Sequence, residues 1–396
     1  MKILSQGITA PKGFLAAGIH CGIKYKNKDL ALVFSELPAV ASGVFTQNSV
    51  QAAPVKLTKA HLSNSRAQAI IVNSGNANCC TGKPGMADAR KICQSLAAKL
   101  GLPVDDVLIA STGVIGQRLP LARIKRKIGV LVQSLSRQAS KPAAEAILTT
   151  DTKIKQKTVE IKIGKAKVRI AAIAKGAGMI QPNMATMLSF ITTDAAIDKR
   201  RLNQALQTAV NNSFNMISVD GEMSTNDMVL VLANGQAANQ PISASDFTIF
   251  TQALNYVCLS LAKMIVQDAE GATKFVEIHI EQARDLRQAK DVAFKIANSP
   301  LVKTAIFGEN PNWGRIAACC GALKTTVIKQ ERLDIYLGGV KVLQRGAALK
   351  ANRRKLNNAF KHKEIQIRVS LGLGKSQATA FTCDLSNKYV KINAEY

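Results

Sequence analysis

Apolar and polar residues alternate along this chain with two periods, and the period changes often. From Met86 to Leu102 the apolar positions fall at helical spacing, with Ala87, Ile92, Cys93, Leu96 and Leu100 on or near one face. A second helix is predicted over Leu119 to Ser136, with Pro120 in its opening turn, where the missing N–H costs nothing. The period then drops to two. Val159, Ile161 and Ile163 alternate up to a turn around Gly164, and Val168 to Ile173 returns from it, which predicts a hairpin over Thr158 to Ala174. Beyond residue 186 the pattern gives a strand, a helix over Lys199 to Asn212, a strand over Met228 to Ala233 and a long helix from about Asp246 to Gln267. The tail after Arg332 reads mostly as strand. The sum is a mixed α/β chain.

Composition narrows the class. The 396 residues are enough for a sizeable core, and length alone allows two or three domains. Hydrophobic residues make up 47% but are dispersed, and no uninterrupted apolar run reaches the roughly 18 residues of a membrane span. The stretch Met1 to Gly13 has too short an apolar core for a secretory signal, so the cytoplasm is the expected compartment. The eight cysteines include two adjacent pairs, Cys79–Cys80 and Cys319–Cys320, and no C-x-x-C spacing. Together with four scattered histidines, this predicts no metal site and mostly buried, reduced thiols.

The formal net charge of +27 raises the possibility of a polyanionic partner. Basic clusters occur at Arg123 to Lys127, Lys199 to Arg201 and Arg353 to Lys355, and the first two fall on helix faces expected to be exposed. Aromatics amount to only 5% and do not interleave with these clusters, so a stacking platform for single strands is not supported. Solvated faces with weak, nonspecific polyanion binding are the expectation. Gly372 to Ser376 reads GLGKS, yet the phosphate-loop pattern requires a glycine where Val369 stands.

The candidate chemistry lies in Lys175 to Phe190, KGAGMIQPNMATMLSF. A threonine hydroxyl must lose its proton as it attacks, and needs a base. Cleavage after Ala185 would free the α-amine of Thr186, whose reference pKa of about 7.7 to 8.0 suits that task. On the residues alone, Gly176, Gly178 and Pro182 equally well shape a turn before an ordinary buried strand.

A set of ordered motifs surrounds this run. They are Gly13 to Lys24 (GFLAAGIHCGIK), Asn73 to Asn78 (NSGNAN), Ser111 to Gly116 (STGVIG) and Thr149 to Thr152 (TTDT), then Ser213 to Asp227 (SFNMISVDGEMSTND), Asp268 to Lys274 (DAEGATK), Asn310 to Ile316 (NPNWGRI) and Lys391 to Tyr396 (KINAEY). In these the chain resembles, over nearly its whole length, the ornithine acetyltransferase (glutamate N-acetyltransferase) family of arginine biosynthesis. The resemblance implies an α/β fold of layered sheets flanked by helices, with the architecture of self-cleaving N-terminal-threonine acyltransferases. It implies cleavage into 1–185 and 186–396, with two copies of each fragment in the assembly.

It also implies the reaction. Thr186 would take the acetyl group from N-acetylornithine and pass it to glutamate in ping-pong order, with Thr112 and Gly113 as the oxyanion hole. Thr149, Lys175, Glu270 and Asn393 would bind substrate, Lys175 meeting a carboxylate and Glu270 an ammonium; Thr150 competes with Thr149 for its place. Read singly, the STGVIG segment is also a tight strand-to-helix turn. No tightly bound cofactor is expected, and acetyl-CoA is expected as a second acetyl donor, as in bifunctional members. The chain departs from the family pattern at Asn310, where aspartate is usual, and at Tyr396, beyond which the pattern runs two residues to a Ser or Thr. The rival readings are an amidohydrolase or aminopeptidase using the same threonine, and a basic nucleic-acid-binding protein without catalysis.

Overall fold

The computed structural model describes residues 1–181, 187–323 and 327–395. Two compact units emerge from it: Met1–Gly176 with Asn183–Asn215 and Met223–Ile265, and Ala177–Pro182 with Met216–Glu222 and Val266–Tyr396, each taken over its described residues. This division does not follow the expected fragments 1–185 and 186–396, which concern the covalent chain.

The first unit is built on nine strands: β1 (Lys2–Leu4), β2 (Phe14–Ile19), β3 (Leu30–Phe45), β4 (Arg66–Asn76), β5 (Val107–Val114), β6 (Lys155–Ile163), β7 (Ala166–Lys175), β8 (Leu188–Thr193) and β9 (Met228–Ala233). They run in the order β1-β6-β7-β8-β9-β3-β4-β5, with β2 paired to β3. The pairs β4–β5 and β8–β9 are parallel, and the other pairs are antiparallel. Side chains alternate between two cores. Ala31, Val33, Ile70, Val72, Leu108 and Ala110 enter one. Leu30, Leu32, Ala69, Ile71, Val107 and Ile109 enter the other, against the helices Gly82–Leu100 and Leu121–Gln133. Strands buried on both faces read as nearly continuous apolar runs, as Ala67 to Val72 does.

The second unit holds β10 (Phe275–Ala283), β11 (Asp334–Leu337), β12 (Val340–Gln344), β13 (Ala347–Ala348), β14 (Glu364–Ser370) and β15 (Ser376–Cys383), in the order β13-β12-β11-β14-β10-β15. The helix Leu286–Ala297 packs on this sheet, capped by the Asp285 carboxylate on Gln288 N–H. The tail is therefore strand-rich, as expected, and it also contains the helices Arg353–Lys361 and Asn387–Ala394.

Elsewhere the elements are those the periodicity predicts, with shifted ends. The hairpin is observed as β6 and β7, turning at Gly164 (φ 56°). The first long helix begins earlier, at Gly82, and its buried stripe is Asp88, Ala89, Ile92, Cys93, Leu96 and Ala97; Ala87 faces solvent, contrary to the expectation. Asp88 occupies that stripe because Arg118 neutralises it at 2.9 Å. Pro120 stands at the N-cap of Leu121–Gln133 rather than inside its first turn. Arg123 to Lys127, apart from buried Ile124, and the pair Lys199–Arg200 lie on exposed faces. The helix Ala244–Gln267 is long and apolar enough to cross a membrane, but half of its most apolar stretch is buried within the fold, the position of a core helix. Seven of the eight cysteines are buried, Cys80 being exposed, and burial pushes the thiols of Cys21, Cys93, Cys258 and Cys320 up to about 12.

Candidate active site

The motif residues of the first unit gather where strand β5 emerges from the core. Thr112 is buried and Gly113 half-buried, while Val114 and Ile115 are exposed. Gly113 lies beside Gly75 of β4 with φ 133°, and a Cβ there would meet the Gly75 carbonyl carbon at 2.3 Å and Asn76 N at 2.4 Å. Only glycine fits. The last residue of β7, Lys175, is almost completely buried and donates from Nζ to Thr112 Oγ1 at 3.3 Å. An oxygen that accepts from the ammonium keeps its own hydrogen for another acceptor.

Asp151 organises the neighbourhood. Its Oδ1 accepts from Gly176 N–H and Lys155 Nζ, both at 2.7 Å, and its Oδ2 accepts from Thr149 N–H at 3.1 Å and lies 3.9 Å from Lys175 Nζ. Burial opposes its charge, but Lys175, Lys155 and the Gly176 N–H outweigh burial and hold the carboxyl at about 2. Thr149 and Lys175 are thus joined through a residue that the sequence reading did not single out. Lys24 ends a loop whose N–H groups, from Cys21 through Lys24, converge on the buried Asp29 carboxylate at 2.6 to 3.1 Å. Its Nζ reaches Leu148 O at 2.6 Å, and burial brings its pKa down to about 8 against the field of Asp29.

The STND segment closes the cluster from the β9 side. Asn226 donates from Nδ2 to Ala77 O at 2.6 Å and Ser111 O at 2.8 Å, linking the NSGNAN and STGVIG motifs. Next to it, Asp227 Oδ1 accepts the Met187 N–H at 3.0 Å. Ala185 and Thr186, the expected cleavage site and nucleophile, lie outside the described residues.

The second unit brings together Glu270 and Asn393. Asn393 donates to Glu270 Oε2 at 2.9 Å and to Tyr389 O at 3.0 Å from the exposed helix Asn387–Ala394. A Cβ on Gly178 would meet Glu270 Oε2 at 2.4 Å, so the glycine makes room for that carboxylate. Asp220, another residue missed in the sequence, accepts from Met179 N–H at 2.6 Å, Ile180 N–H at 2.8 Å and Tyr389 Oη at 3.2 Å. Burial, followed by the Asp220 charge, raises the Tyr389 phenol above its ordinary range. Among the described residues no group of three or more His, Cys, Asp or Glu side chains is placed to hold a metal ion.

The model of the ArgJ family matches residues 15–396. The chain belongs to the ArgJ family. It is 46% identical over 402 residues to the arginine biosynthesis bifunctional protein ArgJ of Caldanaerobacter subterraneus, covering 100% of both chains. It is 47% identical over 402 residues to the protein of the same name from Dehalococcoides mccartyi, covering 100% of this chain and 98% of that one. A solved structure of the ArgJ protein of Bacillus halodurans is 42% identical and covers 46% of this chain and 97% of its own, at a TM-score of 0.45. That of ornithine acetyltransferase from Mycobacterium tuberculosis, complexed with ornithine, is 41% identical with the same coverage, at a TM-score of 0.44.

Proposed function

We propose that this ArgJ-family enzyme carries an acetyl group from N2-acetylornithine to glutamate in arginine biosynthesis, with Thr186 as the carrier. The observation that carries the reading is the bond from Lys175 to Thr112 at the open end of β5. Lys175 pairs in register with Leu188 of β8, two residues after Thr186. A cation, a hydroxyl donor and a glycine N–H are therefore supplied together, and the first residue of β8 lies in register with that cation.

The chain is first cut between Ala185 and Thr186. The Thr186 hydroxyl then attacks the acetyl carbonyl, its proton passing to the freed α-amine. The carbonyl oxygen takes up the electron pair and is met by the Thr112 hydroxyl and the Gly113 N–H. Collapse expels ornithine, whose amine takes the proton, and leaves acetyl on the Thr186 oxygen. Glutamate's amine reverses these steps and leaves as N-acetylglutamate. Lys175 and Thr149 serve the substrate carboxylate, and Glu270 with Asn393 the ornithine ammonium. Acetyl-CoA enters as a second acetyl donor and no tightly bound cofactor takes part. The enzyme works in the cytoplasm with two copies of each fragment.

Intact mass of the purified protein tests the first step, with two fragments expected and a single uncut Thr186→Ala chain. Incubation with N-acetylornithine should add one acetyl to the fragment beginning at Thr186, and glutamate should remove it. Consumption of N-acetylornithine at the same rate without glutamate would instead make the protein a hydrolase.

A further inference from the structure

The adjacent thiols Cys79 and Cys80 take no part in the steps above. Their sulfurs lie 3.8 Å apart, one buried and the other exposed, so the pair leads from solvent into the core. Neighbouring side chains on extended backbone point to opposite faces. Here Asn78 (φ 48°) and Cys80 (φ 56°) are both left-handed, and the turn they form leaves the two sulfurs within reach of each other. The Asn78 side chain holds that turn, donating from Nδ2 to Gly85 O at 3.0 Å and accepting from Thr81 Oγ1 at 2.8 Å. The same backbone is tied to the STGVIG segment: Ala77 N–H donates to Val114 O at 2.9 Å, and Gly116 N–H to Cys79 O at 3.0 Å. Thr225 donates its hydroxyl hydrogen to Asn226 Oδ1 at 2.6 Å and is hydrogen-bonded with the Cys79 thiol. With its hydrogen committed to Asn226, the Thr225 oxygen accepts from that thiol. A line of contacts therefore runs from an exposed sulfur through Cys79, Thr225 and Asn226 to Ser111, the neighbour of Thr112.

We propose that Cys79 and Cys80 are a redox modification site: they close reversibly into a disulfide between neighbouring residues, and closure loosens the hold of Asn226 on the oxyanion segment. The disulfide itself is independent of the reading of Thr186 given above, whereas its effect on acetyl transfer rests on that reading. The oxidant is a low-molecular-weight disulfide. The exposed Cys80 thiolate attacks one of its sulfurs and the first thiolate leaves. Cys79 then gives up its proton, and its sulfur displaces the second thiolate from Cys80. One small disulfide is reduced to two thiols, which take up the two protons, and the two protein thiols are oxidised to one disulfide.

Closure brings the sulfurs from 3.8 Å to about 2.0 Å, so the buried one turns toward Cys80, and no S–H remains for Thr225. The clamp then loses the group that sets its Thr225 side, and the carbonyl of Cys79 moves against Gly116. Neighbouring Cα atoms are held about 3.8 Å apart, below the roughly 4.4 Å at which ordinary disulfides begin. Such a bond is strained and readily reduced, which suits a modification that is undone by thiols.

Trypsin cuts after Arg66 and Arg90, with Lys83 protected by Pro84, and so releases both thiols in one peptide that holds no other cysteine. After the wild-type protein is treated with oxidised glutathione, this peptide should be lighter by two hydrogens and closed to iodoacetamide, and dithiothreitol should restore it. In the same sample kcat for acetyl transfer should fall roughly 10-fold with KM for N-acetylornithine little changed, and should recover on reduction. Cys80→Ala should keep the reduced wild-type rate and lose the response to oxidant. A peptide that stays open to alkylation on both thiols, or that retains glutathione on Cys80, overturns the site. A closed disulfide with unchanged kcat in an enzyme that does transfer acetyl overturns the coupling. A protein that transfers no acetyl overturns the Thr186 reading alone; the peptide then decides the disulfide, and the thermal midpoint decides the clamp. Oxidation should lower that midpoint by roughly 2 °C or more in the wild type and not in Cys80→Ala, and an equal midpoint before and after closure overturns the loosening.

Discussion

Asp151 shows how much of the site hangs on one buried charge. It ties Thr149 N–H, Gly176 N–H, Lys155 and Lys175 together with neither carboxyl oxygen left to water. Replacing it by asparagine removes the negative charge and leaves two lysines buried, which should cost about 3 to 5 kcal/mol near neutral pH and displace Lys175 from Thr112. The pH dependence has a definite sign. The folded carboxyl sits at about 2 and the unfolded one near the ordinary 3.9, so its contribution is complete above about pH 4 and is lost as pH falls toward 2. Urea unfolding from pH 2 to 7 should show the gap between wild type and Asp151→Asn steady above about pH 4 and narrowing as pH falls toward 2. A gap that stays constant would remove Asp151 from its assigned role. The sequence displayed Thr112, Gly113 and Lys175 through their motifs, and it displayed Asp151 as well, inside the same quartet as Thr149. What it did not display was that Lys155 and Lys175, on the two strands of one hairpin, both return to that carboxylate.

Elements were legible where one face is wet and the pattern has a single period. The turn end of the hairpin, Val159 to Ile163 of β6 and the first residues of β7, is such a case, and so is Lys199–Asn211, whose buried stripe runs Leu202, Ala205, Leu206, Ala209 and Val210. Parallel pairing of β4 with β5 and of β8 with β9 was not legible, because strands buried on both faces carry no alternation that would identify a neighbour. The same limit hid Asn226, a polar residue in a loop, whose amide spans 149 residues of sequence to Ala77 and 115 to Ser111. Its amide is the clamp between the approach to β9 and the open end of β5. Asn226→Ala would strand two buried carbonyls, and a loss of about 2 kcal/mol or more follows, with slower acetyl transfer as Ser111 and Thr112 shift. Thermal unfolding and single-turnover acetylation measure the two effects together. A variant with wild-type stability would show that water replaces the clamp.

On the scale of the whole chain, the proposed cut and the compact units cross one another, and this has a consequence for the mature protein. In the first unit β8 lies after residue 186, yet it is paired to β7, which ends at Lys175, as well as to β9. The order β6-β7-β8-β9-β3 therefore sets two strands from beyond the cut between strands that precede it, and the apolar core that holds Ile70 and Val33 also holds Phe190 and Leu230. The second unit is similarly composite, since Asp220 and Glu270 hydrogen-bond Met179, Ile180 and Ala177. Breaking one peptide bond leaves all of this intact, and separating the fragments would expose a sheet edge and core on each. The two fragments should therefore elute as one species in native size-exclusion chromatography, at 0.1 M and at 1 M salt alike. Such salt insensitivity is the discriminating part: at +27 the molecule repels itself, and that repulsion is screened within a few ångströms at 1 M. Fragments held by packed strands remain together at either salt concentration and part only in denaturant. If they part on raising salt alone, charge rather than the shared sheet holds them, and the composite core described here is not what keeps the mature enzyme whole.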